Sequence, residues 1–312
     1  MRSAIRHVSA TWLMIAVIAG TSYGWNNAGH MTIAYVAYQR LSAPAKARVD
    51  ALVRLNPHFE KWSAMIPAET PAAKKPLMLF MMASSWADEI KGDPQYRSAD
   101  VSTAFGASAP IRGYSDLSMH RGWHFIDEPF SPDNTPTKPP AAPNLGTQIP
   151  ALRAVLSSNS SDERLKSYAL VWLIHLVGDA HQPVHCSNRF TQASPKGDAG
   201  GNLVTICDPQ CGARLHNFWD SLLGTSSNPE TAIATGQKLP LPPTAAKNLS
   251  TDTWLSESLT AAKTRVYMSP IGPGPGPFRL TTTYQASSLT LAKSRAVTAG
   301  ARLANVLNAE LK

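Results

Sequence analysis

Apolar positions recur at helical spacing along most of the chain. From Asn26, HMTIAYVAYQRL sets Ile33, Val36, Ala37 and Leu41 on one face and predicts an amphipathic helix. Ser42 and Pro44 read as the cap and first turn of a second helix, whose buried side carries Val49, Leu52, Val53 and Leu55. A third is predicted over Lys74 to Lys91, its Met and Phe cluster belonging to the core and its end reading SWADEIK. The pattern then lapses, because residues 92–121 are rich in Ser, Gly, Asp and Ala, as in a binding loop or an insertion. HRGWHFIDEPF follows as a short extended piece, and Ser131 to Pro143 is too rich in proline for regular structure. Helical spacing returns over Gly146 to Ser158, and Ser160 to Glu163 is a capping-box pattern that opens a long apolar helix. Beyond it, KGDAGGNLVTICDPQCGARLHNFWDSLLG predicts a glycine-bearing loop, a small hairpin and a short helix closed by Gly224. Further helices are expected over Pro229 to Lys238, Asp252 to Met268 and Tyr284 to Leu311. SPIGPGPGPF, between the last two, is a surface loop that cannot be a buried strand. The expected fold class is all-α: a mainly helical single domain with one small hairpin and no internal repeat.

The first residues break this pattern. Residues 1–24 carry Arg2 and Arg6, a short apolar run and then Ser22 and Gly24, the arrangement of a secretory signal peptide cleaved after Gly24. The run is too short and wrongly flanked for a membrane anchor, the other reading being a hydrophobic N-terminal helix that is kept. The working domain is then 25–312, secreted or periplasmic. With 43% hydrophobic and 16% charged residues, the chain has material for a sizeable core. The formal net charge is +8 for the whole chain; the leader holds two arginines and no acid, so +6 remains without it. That suits a polyanionic substrate without requiring one. Export permits disulfides. Of three cysteines, Cys207 and Cys211 across a DPQ turn are the favoured pair, leaving Cys186 free. A bridge from Cys186 to either, or a zinc-binding C-x3-C, are the alternatives.

Candidate chemistry concentrates in HLVGDAHQPVH, His175 to His185. His175 and Asp179 stand four apart, so a helix presents both to one point. Pro183 cannot continue that helix, and the bend lets His185 return toward the pair. One histidine here would read as a hydrogen-bonded core residue; three in so short a segment read as metal ligands. LHNFWD repeats the spacing with His216 and Asp220, and His185 makes a third ligand, enough for a zinc ion that keeps an open position. Asp88 in SWADEIK and His124 in GWHFID are candidates to complete the set begun by His175 and Asp179. His30 lies five residues after Trp25. Cleavage after Gly24 would make the Trp25 α-amino group a ligand too, and the Trp25 carbonyl could close a five-membered chelate ring.

In chain order, WNNAGH, SWADEIK, HFIDEP, HLVGDAHQPVH, GDAGGN and LHNFWD resemble the zinc-dependent single-strand-specific nucleases and 3′-nucleotidases, class I nucleases of the S1/P1 type. The resemblance runs from Trp25 through at least Leu223; the C-terminal third matches only in being helical. It implies a phospholipase C/nuclease-like helical fold around a trinuclear zinc cluster. Carried over by motif, Asp88, His124, His175 and Asp179 hold one zinc, and His185, His216 and Asp220 a second. The Trp25 amine and carbonyl, His30 and the second oxygen of Asp179 hold the third. The implied activity is that of a secreted phosphodiesterase, cleaving single-stranded DNA and RNA endonucleolytically to products with a 5′-phosphate by a zinc-activated hydroxide, with 3′-nucleotidase activity. Asp88, Asp179 and Lys91 are the implied catalytic residues, Lys91 adding positive charge to the transition state; without the resemblance it is a solvated lysine at a helix end. Phe125 and Asp127 resemble the family's base pocket, a ring for stacking and a carboxylate that accepts base N–H groups, although Phe125 alone would read as core. Asn202 is expected beside the substrate, anchoring its loop next to the cluster rather than binding zinc. His181 is expected to orient a ligand carboxylate. Single-stranded DNA or RNA and 3′-nucleotides are the only partners implied, with no membrane and no obligate protein partner. Plant and fungal members rely on more disulfides than three cysteines can form, so their cystine framework does not transfer.

Two rivals accompany this reading. A zinc-dependent phospholipase C also uses an N-terminal tryptophan, but would want glutamate in place of Asp220 and leaves HFID unexplained. A secreted zinc-binding protein without catalysis would close the coordination of every ion.

Overall fold

The computed structural model describes residues 25–98 and 111–311. The signal-peptide reading of 1–24 lies outside the described residues, as does 99–110 within the segment read as a loop or insertion. The Asn26 side chain caps α1 (Asn27–Tyr38) by accepting from the Gly29 N–H, and Ser42 caps α2 (Ala43–Val53), with Pro44 in its first turn. After α3 (Phe59–Met65) come α4 (Lys75–Ala83) and α5 (Trp86–Glu89). An Asn144–Thr147 capping box opens α6 (Leu145–Ser157), and α7 (Glu163–Asp179) follows. The C-terminal part holds α8 (Leu215–Asp220), α9 (Pro229–Gly236), α10 (Thr251–Ala261) and α11 (Thr282–Glu310). Strands are short. β1 (Pro129–Phe130) pairs in parallel with β2 (Asn188–Arg189), while β3 (Thr205–Cys207) lies between its hairpin partner β4 (Cys211–Arg214) and β5 (Phe278–Arg279). The mainly helical class expected from the sequence is the one observed.

Every residue of α7 from Ser167 to Asp179 is buried, so this helix runs through the interior with α2, α6 and α11 packed around it. Trp172 on its inner turns meets Trp86 and Trp123 at ring-centroid distances of 5.9 and 4.9 Å. Such aromatic contacts contribute about 0.5–1.5 kcal/mol each beyond their burial and give the end of α7 that carries His175 and Asp179 a stiff floor.

Several local expectations are corrected. The helix expected over Lys74 to Lys91 breaks at Ser84 and Ser85 into α4 and α5, then a 3₁₀ turn, Ile90–Gly92. The Ser84 hydroxyl bonds back to the Met81 carbonyl (2.6 Å), while the Ser84 carbonyl turns to His175 Nδ1 (2.8 Å) instead of continuing the helical ladder. The cap of α7 is Asp162, which accepts from the Leu165 N–H, rather than a box starting at Ser160. The piece read as extended before the proline-rich loop begins as a 3₁₀ turn, Arg121–His124. The proline- and glycine-rich loop ends in β5, whose half-buried Phe278 pairs with the fully buried Ile206. Cys207 and Cys211 form the favoured disulfide and Cys186 is free and buried, which removes the cysteines as zinc ligands.

An ionic cluster ties α10 to α11. Glu257 accepts from Arg302 with both oxygens (2.7 and 2.8 Å) and from Arg295 (2.9 Å), and Arg302 is fully buried. Burial disfavours the Glu257 carboxylate, but bonds from Arg302 and then Arg295 outweigh it and hold the acid below its ordinary range. Its stabilising contribution is therefore fully present above the unfolded value of about 4.3 and is lost as pH falls through the lower folded value. Glu257→Gln should cost about 3 kcal/mol at neutral pH, since it leaves a buried guanidinium underpaired. Unfolding of the two proteins followed by circular dichroism should show that gap closing below about pH 4. A gap that persists in acid would assign it to packing.

Candidate metal centre

The break at Ser84–Ser85 redirects the chain so that Asp88 on α5 faces α7, and the 3₁₀ turn Pro183–Cys186 brings His185 back under Asp179. Five histidines and three aspartates thereby converge in three groups: Asp88, His124 and His175; His30, His175 and Asp179; and His185, His216 and Asp220. Within each group the candidate ligand atoms lie within 4.8 Å of one another and every residue is buried. Asp179 stands between the groups. Its Oδ2 is 3.2 Å from His175 Nε2 and 3.3 Å from His124 Nδ1, while Oδ1 is 3.5 Å from both His30 Nε2 and His185 Nδ1. Asp220 reaches His216 Nε2 at 3.4 Å and His185 Nε2 at 3.7 Å.

Backbone carbonyls fix the rings. His175 Nδ1 donates to the Ser84 carbonyl, His185 Nδ1 to that of His124 and His216 Nδ1 to that of Gly200, each at 2.8 Å. That choice of tautomer leaves each Nε2 with a lone pair directed inward. His185 Nε2 and His216 Nε2 then face each other at 3.1 Å, and His175 Nε2 meets His124 Nδ1 at 2.9 Å. Among the described residues, both ring nitrogens of His30 and both carboxylate oxygens of Asp179 lack a well-directed hydrogen-bond partner. Buried polar atoms left this way cost about 1–3 kcal/mol each unless something satisfies them. A shared cation does so for opposed imidazole lone pairs and carboxylates alike, so this donor set fits metal ions.

Burial lowers four of the five imidazoles, while Asp179 and Asp88 raise His175 against it. Burial, reinforced by His175, pushes His30 down to about 3; burial, reinforced by Lys91, does the same to His124. Neutral imidazoles are the form that ligates. Burial opposes ionisation of Asp179, but His175 and His185 outweigh it and hold the carboxyl well below the usual range. Asp220 is driven the other way by burial, with Asp179 and Asp88 adding repulsion. Against burial, Lys91 and His175 hold Asp88 below its ordinary range, so of the three carboxylates Asp220 is the one disfavoured as an anion.

Residues around the groups complete the picture. Lys91 Nζ lies 2.7 Å from Asp88 Oδ1 with its side chain 2% exposed, so the solvated helix-end reading is overturned. The Trp25 ring is fully buried and its indole N–H donates to the Gly178 carbonyl (3.1 Å), while the Asn26 N–H donates to the Asp220 carbonyl (3.3 Å). Gly178 is required there: a Cβ would sit 2.9 Å from His30 Nδ1. Phe125 is 37% exposed beside the cluster, and its neighbour Ile126 is pinned by an N–H bond to the His185 carbonyl. Asp127 is half-buried, with burial and then Asp198 raising its pKa. Asn202 donates to the Ala199 carbonyl (2.9 Å) and lies 3.1 Å from His216 Nδ1, holding the GDAGGN loop against that ligand.

His181 was expected to orient a ligand carboxylate and does not. It faces α11, with Nε2 2.9 Å from Arg302 and Nδ1 2.8 Å from the Val177 carbonyl. His181 lies beyond the end of α7, in the turn whose N–H bonds back to the Gly178 carbonyl (3.0 Å). Asp198 was missed. Fully buried, it accepts from the Arg189 and Gly201 N–H groups and the Tyr267 hydroxyl, shaping the loop that carries Gly200. Its signal was the GD-GG pattern, for Gly200 has φ +60° and a Cβ there would lie 2.3 Å from the Val184 carbonyl.

A mainly helical fold that turns these eight side chains onto one buried patch defines a class, helical proteins with a His/Asp centre able to hold several metal ions. The family model for S1/P1 Nuclease matches residues 25–312, and the chain belongs to that family. It is 25% identical over 224 residues to Nuclease S1 of Aspergillus oryzae, covering 69% of this chain and 58% of that protein. Endonuclease 2 of Arabidopsis thaliana is 26% identical over 217 residues, 69% of this chain and 60% of its own length. Endonuclease 4 of the same plant is 24% identical over 266 residues, 82% and 73% of the two chains. The aligned stretch is thus under two thirds of the first two relatives.

Proposed function

We propose that the chain is an exported zinc-dependent nuclease that hydrolyses single-stranded DNA and RNA to products with a 5′-phosphate, and removes phosphate from 3′-nucleotides. The observation that carries this reading is the convergence of five histidines and three aspartates on one buried patch, in a member of the S1/P1 nuclease family. Asp88, His124, His175 and Asp179 would hold one zinc, His185, His216 and Asp220 a second, and Trp25, His30 and Asp179 the third. Zinc so held supplies a Lewis acid for phosphoryl oxygens and lowers the pKa of water to about 7.

The remaining roles fall to the chain itself. Water adds to phosphorus, the bond from phosphorus to the 3′-oxygen breaks, and that oxygen leaves as a hydroxyl, giving the 5′-phosphate product. Lys91 places a buried positive charge beside Asp88, where it favours the extra negative charge of the pentavalent transition state. Phe125 offers a partly exposed ring on which an unpaired base can stack, and Asp127 a carboxylate to accept its N–H groups. A base held in a duplex presents no free face, which is the physical origin of single-strand preference. Export follows from residues 1–24 read as a leader, and no described helix is long and apolar enough to cross a membrane.

Incubation of the zinc-replete protein with RNA, single-stranded DNA, duplex DNA and phosphatidylcholine, with EDTA controls, tests the proposal. Release of 5′-mononucleotides from the single strands, abolished by EDTA, is expected; phosphocholine release would replace the reading with a phospholipase. Phe125→Ala should raise KM for single-stranded substrate with a smaller effect on kcat, because base stacking contributes about 1–3 kcal/mol of largely uniform binding. An unchanged KM would return Phe125 to a packing role.

A further inference from the structure

The end of α7 is held from behind as well as from the ligand side. The Ser258 hydroxyl on α10 donates to the Ala180 carbonyl (2.6 Å), and Arg295 Nε on α11 donates to the His181 carbonyl (3.2 Å). Arg295 also donates to the Ser258 hydroxyl (2.6 Å) and to Glu257, which in turn is gripped by Arg302. Ser258 and Arg302 are fully buried and Arg295 is 8% exposed. The carbonyls so engaged belong to the residues immediately after Asp179, at the negative end of the α7 dipole, where guanidinium groups are favoured.

These bonds fix the turn that runs from Asp179 to His185. Within it, Asp179 reaches four of the five inward histidines, Gln182 Nε2 reaches Asp220 Oδ1 at 3.3 Å, and His185 meets His216. A displacement of the turn by about 0.5 Å would spoil several ligand distances at once. A buried ion network is a weak source of stability, since apolar filling of the same space is about as stable, but hydrogen bonds of fixed direction hold geometry that apolar packing does not.

We propose that Ser258 and Arg295, braced by Glu257 and Arg302, are positioning residues that set the Asp179–His185 turn for metal capture, a role that rests on the metal-centre reading above. They touch neither metal nor substrate and act through the backbone of Ala180 and His181.

The test compares Ser258→Ala and Arg295→Lys with Arg153→Ala, which breaks an α6–α11 ion pair (Arg153–Glu310, 2.7 Å) outside the turn. Zinc retention is measured by competition with a chromophoric chelator, and the unfolding midpoint of each metal-free protein by circular dichroism. Ser258→Ala and Arg295→Lys should weaken zinc retention about 10- to 100-fold, with metal-free midpoints no lower than that of Arg153→Ala, which should hold zinc as the wild type does. Zinc held as tightly in the two clamp variants as in the wild type overturns the proposal, whatever their midpoints. Equal weakening in Arg153→Ala also overturns it, because the loss would then follow general destabilisation. A wild-type protein that takes up no zinc is recognised before any variant is compared, and removes the metal-centre reading and this proposal together.

Discussion

Asp179→Asn is expected to lower kcat/KM on single-stranded DNA by about three orders of magnitude or more, the largest loss from any single ligand change. Asp179 is the one carboxylate with an oxygen on each side: Oδ2 faces His124 and His175, Oδ1 faces His30 and His185. Asparagine keeps the shape but offers one weak oxygen donor in place of two charged ones, so two of the proposed ion sites degrade together. Asp220, by contrast, faces His185 and His216 and accepts from Gln182, all on one side of the cluster. Asp220→Asn should therefore disturb one site and leave more residual activity. The metal-free Asp179→Asn protein should fold at reduced stability, because asparagine keeps the shape but loses the attraction of His175 and His185 that holds the carboxylate ionised. Single-turnover kinetics with metal counts on both variants would check the comparison, and equal residual activity with equal zinc content would remove the bridging role.

A protein that retains one extra glycine before Trp25 is expected to fold, bind less zinc and lose activity by orders of magnitude. The reason is chemical: the extra residue converts the Trp25 α-amine, with an ordinary pKa of about 8, into a peptide amide, which is a very poor donor until it loses its proton. The fold has already fixed where that nitrogen must be. The Trp25 indole is tied to Gly178, next to Asp179, and the following N–H to the Asp220 carbonyl. Gly29 lets the Trp25 side chain lie against the first turn of α1, where a Cβ would sit 2.8 Å from the Trp25 Cβ. Two secreted forms, one beginning at Trp25 and one with the added glycine, should differ in zinc content and in 5′-mononucleotide release. Equal zinc and equal rates would show that the N-terminal amine is not a ligand.

The residues that converge on the candidate metal centre were legible because their pattern is local. Spacing of four places His175 with Asp179 and His216 with Asp220 on shared helix faces, and Pro183 announces the turn that returns His185. The helical class followed equally from periodicity. What escaped depends on contacts distant in sequence. The break after α4 exists because His175, 91 residues away, takes the Ser84 carbonyl, and nothing in KKPLMLFMMASSWADEIK announces that partner. Helix α3 buries only Trp62, too little apolar surface to give a period. The burial of Lys91, the turning of His181 toward Arg302 and the hold of Asp198 on the glycine loop are likewise tertiary facts. The family and the convergent His/Asp set were more legible than local structure because they are written in residue type and spacing, whereas helix ends are decided by whatever packs against them.

Whether the three His/Asp groups are metal sites of one centre can be read from anomalous diffraction at the zinc edge from crystals of the protein beginning at Trp25. Three zinc peaks are expected, one at each of the three groups, with Asp179 contributing an oxygen to two of them. A single peak, or peaks away from these eight side chains, would contradict that expectation.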